Sequence, residues 1–105
     1  MRSSKYHISK HALLDIEDIW IYTFHKWSKE QADRYYQLIF SEIDFIAENF
    51  IAENFMAGKS IEHIRKGYRV SKVKSHLIFY RKNVDEVVEI IRVLHQRMDV
   101  KTRLR

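Results

Sequence analysis

HLIFYRKNVDEVVEIIRVLH, from His76 to His95, contains two runs rich in β-branched and aromatic residues on either side of a polar segment. Such side chains favour a pleated, half-buried strand, whereas asparagine and acidic residues between two runs favour a turn. The stretch therefore predicts strands at His76–Lys82 and Val87–His95, joined by a turn at Asn83–Glu86. A further strand is predicted over Ile64–Val73, with a turn at Lys72–Ser75 leading into His76.

Apolar side chains occur on both sides of the last predicted strand. One side holds Val88, Ile90 and Leu94, interrupted by Arg92, and the other holds Val87, Ile91 and Val93. A strand that is apolar on both faces lies inside a sheet, because both of its faces are covered. This strand is therefore predicted to be central.

The N-terminal half has helical periodicity. Ser9 is a suitable N-cap for a helix that ends around Phe24–Trp27, since serine oxygen accepts from the free amides of a first turn. Its predicted apolar side consists of Ile16, Ile19, Trp20 and Phe24. A capping box at Ser28–Gln31 begins a second helix. The apolar stripe of that helix is Ala32, Tyr35, Ile39, Ile43, Ile46 and Phe50.

Two helices joined this closely form an antiparallel hairpin. The segment Lys5–Ser9 alternates polar and apolar residues, as an edge strand does. The predicted order β-α-α-β-β-β defines an α+β fold. We therefore expect a single domain over residues 1–105, with an N-terminal β-strand and an antiparallel two-helix hairpin packed on a three- to four-stranded antiparallel β-sheet.

The pentapeptide IAENF occurs twice in tandem, at Ile46–Phe50 and Ile51–Phe55. Five residues rotate a helical pattern by roughly 140° from the original face, so the second copy cannot continue the stripe. It could leave the helix towards Gly58, be absorbed by a helical bulge, or form an apolar ledge covered by another chain. The first outcome is favoured, and the repeat is interpreted as an insertion at a tolerant helix end.

Charge is distributed unevenly along the 105 residues. Residues 1–57 carry six Lys/Arg and nine Asp/Glu, a net charge of −3, whereas residues 58–105 carry thirteen and five, a net charge of +8. A basic half of this kind suits nucleic acid or an acidic protein partner, and it also suits a plain solvated surface.

The sequence contains no cysteine, so disulfides, thiolate nucleophiles and cysteine-ligated metals are excluded. No metal site, cofactor or small-molecule substrate is predicted. Neither a signal peptide nor a membrane-spanning run is recognisable, so a cytoplasmic protein without membrane contact is expected. The aromatic set Trp20, Trp27, Tyr35 and Tyr36 falls at helical spacing and is interpreted as core or as the seam of the hairpin.

Several motifs in this order resemble the ParE toxins of the RelE/ParE superfamily over nearly the whole chain. They are S-x-x-A-x-x-D-I at Ser9–Ile16, WSKEQA around Ser28–Gln31, AENF-x-x-GKS around Ala52–Ser60, GYR at Gly67–Arg69, SHLIFYR at Ser75–Arg81 and IIRVLHQRMD at Ile90–Asp99. The extra IAENF departs from the family pattern, which has one copy before the glycine.

The resemblance implies the toxin of a type II toxin–antitoxin system, neutralised by a ParD-like antitoxin and inhibiting DNA gyrase by protein–protein binding. Nucleic acid would be reached only through the antitoxin or gyrase. The implied protein is not an enzyme and could form a homo-oligomer when alone. Its predicted partner-binding residues are Tyr68, Arg69, Arg81, Arg92, His95, Arg97, Lys101, Arg103 and Arg105. The gyrase contact is placed on the basic tail, from Arg97 to Arg105.

Two alternatives stay open. RelE-like relatives cleave mRNA on the ribosome, which here would require Arg81, Arg92 and His95 to converge in one groove. Direct binding of nucleic acid by the basic half is the other. Against a catalytic role, arginines within a sheet commonly pair with an acid such as Glu89 or Asp99, and His95 would be a hydrogen-bonded structural residue. Alternation also places Tyr68 and Arg69 on opposite faces of their strand.

Overall fold

A computed structural model describes residues 6–51, 58–98 and 100–104 of the chain. Its elements are β1 (Tyr6–Ile8), α1 (Lys10–Lys26), α2 (Lys29–Ile51), β2 (Lys59–Ser60), β3 (Arg69–Val73), β4 (His76–Lys82), β5 (Val88–His95) and α3 (Val100–Arg103). The α+β class, the helix hairpin and the strands at both ends of the quoted stretch are confirmed.

The described strands form one five-stranded sheet in the order β1-β5-β4-β3-β2. β1 pairs with β5 in parallel, whereas the other three pairings are antiparallel. The predicted three- to four-stranded antiparallel sheet is therefore wrong in strand number and in one direction. β2 has two residues, too few for a periodic signal, and β1 reaches β5 only through non-local contacts. The internal position of β5 is confirmed.

The segment before β3 is not the strand that was predicted from Ile64. Residues 61–68 fold into turns instead, with the amide of Arg65 donating to the carbonyl of Ile61 at 3.0 Å and that of Tyr68 to Arg65 at 3.2 Å. Ile61 and Tyr68 are buried against the side of the sheet opposite the helices. These residues are apolar because the loop that carries them covers one side of the sheet. Sequence alone does not distinguish such a loop from a strand.

Both helices begin at the predicted caps. The Ser9 hydroxyl accepts from the amide of Ala12 at 3.0 Å and donates to the carbonyl of Ile91 at 2.8 Å, which ties the start of α1 to β5. The Ser28 hydroxyl accepts from the amide of Gln31 at 3.1 Å. Serine caps satisfy amides that have no partner within the helix.

The main core lies between the hairpin and the sheet. Its fully buried members are Ala12, Ile16, Ile39, Ile43, Ile46, Val73, Ile78, Tyr80, Val88, Ile90 and Val93. The α2 stripe is confirmed from Ala32 to Ile46, with Tyr35 partly buried, while the side chain of Phe50 lies outside the described part. On the predicted apolar side of α1, Ile16 is buried and Ile19 packs against the core, whereas Phe24 is exposed.

A bulge in β5 changes which of its residues face the helices. Phe79 of β4 pairs with Arg92, but the next residue, Tyr80, pairs with Ile90, so Ile91 is an extra residue. The bulge reverses the alternation beyond it. Leu94 consequently lies in the second core on the far side of the sheet, not beside Val88 as predicted, and Val93 takes its place near the helices.

The second core is covered by residues 61–68 and by α3. Its buried residues are Ile61, Tyr68, Phe79, Leu94 and Leu104. As for the repeat, α2 ends at Ile51, the first residue of the second copy. The remainder of that copy lies outside the described residues, so its path stays a prediction. Among residues 6–51, 58–98 and 100–104, no helix is long and apolar enough to cross a membrane.

Candidate functional site

The outer side of the helix hairpin forms a shallow groove between α1 and α2. A pocket of about 360 Å³ in this groove is lined by Glu17, Trp20, Ile21, Asp33 and Tyr36. The indole of Trp20 donates to the Asp33 carboxylate at 2.9 Å, across the seam between the helices.

Aromatic rings make the walls of this groove. On α1, Trp20 stacks on Phe24 with ring centroids 5.3 Å apart. On α2, the ring centroid of Tyr36 lies 4.9 Å from that of Phe40. The expected core or seam position is therefore wrong for Trp27, which is 68% exposed, whereas Tyr36, 44% exposed, lies in the groove at the seam of the hairpin. Tyr35 does pack on the core. An exposed aromatic surface of this kind makes the groove a candidate binding site.

Arg92 is held by α1 through a paired contact. Its Nε donates to Asp15 Oδ2 at 2.8 Å and its Nη2 to Asp15 Oδ1 at 2.9 Å, and the amide of Val93 also donates to this carboxylate. The hydrogen bonds that Arg92 donates to Asp15 raise the pKa of its guanidinium. Asp15 is thus the acid that pairs with Arg92.

His95 contacts a second histidine at the far end of β5. The two rings of His76 and His95 meet edge to face with centroids 5.2 Å apart, and Nδ1 of His76 lies 2.6 Å from the Tyr35 hydroxyl. Burial lowers the pKa of His76 to about 4, with His95 adding to the effect. Nδ1 of His95 accepts from the amide of Arg97 at 3.1 Å, which fits the structural role considered for it.

Arg81 lies near the opposite end of β5 from His95. Its Nε donates to Glu89 at 3.1 Å, as the sequence predicted, and Nδ1 of His7 on β1 lies 3.6 Å from the same carboxylate. Glu89 and His95 are six residues apart, roughly 20 Å along a strand. Arg81, Arg92 and His95 therefore do not converge in one groove, and that expectation of the mRNA-cleavage alternative is wrong.

Tyr68 and Arg69 face opposite sides of the sheet, as predicted. The buried ring of Tyr68 has the guanidinium carbons of Arg65 and Arg81 at 5.6 and 5.9 Å from its centroid. Arg69 instead turns to the helix side, where its Nη2 donates to the carbonyl of Gly58 at 3.2 Å. Two cations beside one aromatic ring make this end of the far side strongly basic.

Beside Arg69 lies a polar cluster between α2 and β3. The Ser71 hydroxyl donates to Glu42 at 2.5 Å. Burial raises the pKa of the nearby Tyr80 phenol, and a hydrogen bond from Arg69 opposes that rise. The cluster connects the sheet to the helix whose end carries the repeat.

The basic C-terminal segment is anchored by apolar residues. Leu104 is buried in the second core and Val100 packs against it, which leaves Arg97 and Arg103 exposed. The side chains of Lys101 and Arg105 lie outside the described part. Within residues 6–51, 58–98 and 100–104, no group of three acids or histidines could hold a metal ion.

Comparison with known proteins identifies the family. A family model described as ParE toxin of type II toxin–antitoxin system, parDE, matches residues 6–100. The chain belongs to the ParE toxin family. A Toxin ParE1 of Mycobacterium tuberculosis H37Rv is 37% identical to this ParE chain over 102 residues, covering 97% of the chain and 99% of the relative. A Toxin ParE1 of Caulobacter vibrioides is 40% identical over 99 residues, covering 94% and 96%.

The ParE fold is matched by a solved structure. A chain from the structure titled chromosomal ParDE TA system from P. aeruginosa superposes with a TM-score of 0.74 at 16% identity, covering 90% of this chain and 98% of that one. At that identity the comparison supports the fold alone. The resemblance inferred from the sequence motifs is confirmed by the family match and by the relatives.

Three residues that shape this ParE surface were not singled out from the sequence as site residues. They are Asp33, which holds Trp20, Arg65, which lies over Tyr68, and Asp15, which binds Arg92. Asp15 falls within the S-x-x-A-x-x-D-I motif, so a fixed acid there was the one available signal. Asp33 and Arg65 occur in polar helix and loop sequence and carry no signal of their partners.

Proposed function

We propose that this ParE toxin inhibits DNA gyrase by protein–protein binding and is kept inactive by a ParD-like antitoxin. The carrying observation is the exposed, aromatic-walled groove on the helix hairpin, together with a basic sheet side whose arginines are held in structural contacts. Relatives that carry the ParE toxin name support the toxin role, and the ParDE title of the fold match names a toxin paired with an antitoxin.

The groove suits the antitoxin contact. Its apolar lining fits the apolar side of an amphipathic helix, because a helix laid between two helices buries its own stripe there. The edge of β3 suits an added strand. β2 pairs with Arg69 and Val70 only. On the edge of β3 that faces away from β4, Lys72 therefore has no partner among the described strands. Main-chain bonds there would supply affinity, and basic residues would select acidic partners.

The separation of Arg81, Arg92 and His95 along the sheet supports a toxin that acts by binding. Arg92 is bound to Asp15 and Arg81 to Glu89, so both arginines already have an acid. An RNA-cleaving site needs its cations and its proton-transfer group within a few ångströms of one phosphate. The spacing along β5 supports a mechanism without bond breaking.

We place the gyrase contact on the basic C-terminal segment. Arg97 and Arg103 are exposed there, and the burial of Leu104 holds their backbone against the sheet. Such a segment presents positive charge from a fixed position, which favours a fast encounter with an acidic surface.

The test is a supercoiling assay with purified gyrase. The parent chain is expected to inhibit supercoiling, and the double variant Arg97→Glu/Arg103→Glu to inhibit about tenfold less well, because each reversal replaces attraction by repulsion. The matched control is Lys72→Glu/Lys82→Glu, which reverses two exposed charges elsewhere. No inhibition by the parent chain would overturn the gyrase assignment, and equal loss in both doubles would overturn the contact site.

The antitoxin assignment is tested in cells. Induction of the chain is expected to arrest growth, and co-expression of a small reading frame adjacent to its gene is expected to restore it. Purification of a stable complex of the two proteins would identify the product of the adjacent gene as the partner. Arrest that no adjacent product relieves would contradict a paired antitoxin.

A further inference from the structure

The pocket in the hairpin groove joins aromatic walls to negative charge. Of the five residues that line it, Trp20, Ile21 and Tyr36 supply apolar surface, and Glu17 and Asp33 supply carboxylates. A volume of about 360 Å³ is near the lower end for ligand pockets, which is roughly 300 Å³. It is large enough for one long side chain.

Contacts among the lining residues and with their neighbours hold the walls of the pocket in place. Trp20 is fixed by its bond to Asp33 and by stacking on Phe24. Asp33 also accepts a hydrogen bond from Lys29 at 2.8 Å. The hydrogen bond from Lys29, and to a smaller extent the one from Trp20, lowers the pKa of the Asp33 carboxyl, so this group is charged at neutral pH. Walls that are already ordered lose little entropy when a ligand enters.

Glu17 differs from Asp33 in having no partner. Lys29 neutralises Asp33, whereas Glu17 makes no ion pair or hydrogen bond with any residue in the described ranges 6–51, 58–98 and 100–104. Among the described residues, no cation therefore compensates the carboxylate of Glu17, which lies in the pocket beside two aromatic rings. An aromatic face together with a carboxylate attracts a cation and disfavours a phosphate or an acid.

We propose that this pocket binds one cationic side chain, a lysine or an arginine, from the amphipathic helix of the partner. The proposal rests on the proposed function, because the groove is where the antitoxin helix is placed. The apolar stem of the side chain lies along Ile21 and the aromatic rings, and its charged head meets Glu17 and Asp33. One basic residue within an apolar stripe would thus select the cognate partner from helices with only apolar residues there.

The experiment measures binding of small cationic and neutral probes to the pocket of the toxin, without a partner protein. The chain has two tryptophans, so the variant Trp27→Phe leaves Trp20 as the single reporter in the pocket. Its fluorescence is titrated with N-acetyl-arginine amide and, as the matched neutral probe, with N-acetyl-citrulline amide. The arginine probe is expected to give a saturable change with an affinity at least about fivefold higher than that of the citrulline probe.

Two further variants in the same background separate the charge of the pocket from its shape. Glu17→Gln is expected to weaken arginine binding about three- to fivefold while leaving the fold intact, because the residue is exposed. Asp18→Asn removes an exposed acid of the same helix that does not line the pocket, and it is expected to change nothing. Equal responses to both probes, or arginine binding unchanged by Glu17→Gln, would overturn the proposal.

Failure here is distinguishable from failure of the proposed function. If an adjacent gene product relieves the growth arrest but the arginine probe does not bind, the antitoxin assignment stands and only the cationic selection is wrong. If the probe binds with the expected charge dependence but no product relieves arrest, the pocket stands and its assigned partner is wrong.

Discussion

The carboxylate of Asp15 accepts three hydrogen bonds and so connects α1 to β5. Two come from Arg92 and one from the amide of Val93. The side chains of Asp15 and Arg92 are only 14% and 19% exposed. A partly buried pair is costly to break, since removing one member leaves the other charge without a partner.

The variant Asp15→Ala is expected to reduce the free energy of unfolding by about 2–3 kcal/mol, because Arg92 and the amide of Val93 lose their acceptor. Urea unfolding measures the change. The matched control is Lys29→Ala, which breaks the exposed pair with Asp33 and is expected to have little effect. Equal effects of the two variants would show that the Asp15 contact is not a structural one.

The two glycines give a second comparison at the residue scale. Both have positive φ, 71° at Gly58 and 80° at Gly67. A Cβ on Gly58 would clash with the Tyr80 hydroxyl and lie 2.6 Å from the carbonyl oxygen of Val70, whereas a Cβ on Gly67 would meet nothing within 4 Å. Both positions thus have a backbone conformation that disfavours a side chain, but only Gly58 also lacks the space for one.

Gly67→Ala is expected to reduce the free energy of unfolding by about 1–2 kcal/mol, the cost of a left-handed conformation for a residue with a Cβ. Gly58→Ala is expected to cost more than about 3 kcal/mol, because the clash adds to that conformational cost. Thermal unfolding of both variants measures the difference. A Gly58→Ala protein as stable as Gly67→Ala would contradict the close approach of Tyr80.

At the scale of elements, α2 is connected to the β3–β4 hairpin through Tyr35. Its hydroxyl lies 3.1 Å from the carbonyl of Val73 and 2.6 Å from Nδ1 of His76. A protonated His76 would carry a poorly solvated charge, because its ring is partly buried at this contact. The connection between helix and sheet therefore depends on His76 being neutral.

Stability is expected to decrease as the pH falls from about 6.5 towards 4. The pKa of His76 is about 4 when folded, against 6.5 for a free histidine, so the unfolded chain binds more protons in that window. The expected loss is roughly 1–3 kcal/mol, discounted because the ring is partly exposed. Denaturant midpoints at pH 7, 6 and 5 measure it.

His76→Gln is expected to flatten this part of the pH dependence, although it also weakens the protein at pH 7 by altering the contact with Tyr35. His63→Gln, at an exposed position, is the control and should keep the parent slope. A parent-like slope in His76→Gln would assign the acid sensitivity to other groups.

The elements show where sequence reasoning succeeded. The strands of the quoted stretch, the serine caps and the α2 stripe follow from local periodicity and hydrogen bonding, and all are present. The direction of β1 arises from pairing with residues near the other end of the chain, and the bulge at Ile91 arises from the register between β4 and β5. Local periodicity encodes neither of them. Arg92 was a candidate for an RNA-cleaving groove because its partner, Asp15, lies 77 residues away in the sequence and gives no local signal.

At the scale of the whole molecule, opposite sides differ in chemistry. The hairpin side exposes apolar and acidic residues, and the far side of the sheet and the C-terminal segment expose cations. The surface around Trp20 has no cover in the described chain. We propose that the toxin alone self-associates through this groove, since exposed apolar surface tends to become buried.

Phe24→Ser is expected to weaken that self-association about tenfold, because it removes a wall of the groove. Leu38→Ser is the matched control. Phe24 and Leu38 are similarly exposed, at 41% and 39%, but Leu38 is neither a pocket residue nor stacked on Trp20. Sedimentation velocity over a range of concentrations measures both. A parent chain that stays monomeric throughout would contradict the proposal.

The parallel pairing of β1 with β5 has a consequence for synthesis of the toxin. The first strand and Asp15 acquire their partners only when the stretch around Ile90 and Arg92 is available. A ribosome delivers the chain from the N-terminus, so a nascent hairpin has no sheet to pack on until translation is almost finished. Any product that terminates before Val88 lacks the strand that pairs with both β1 and β4, and it therefore cannot complete this sheet.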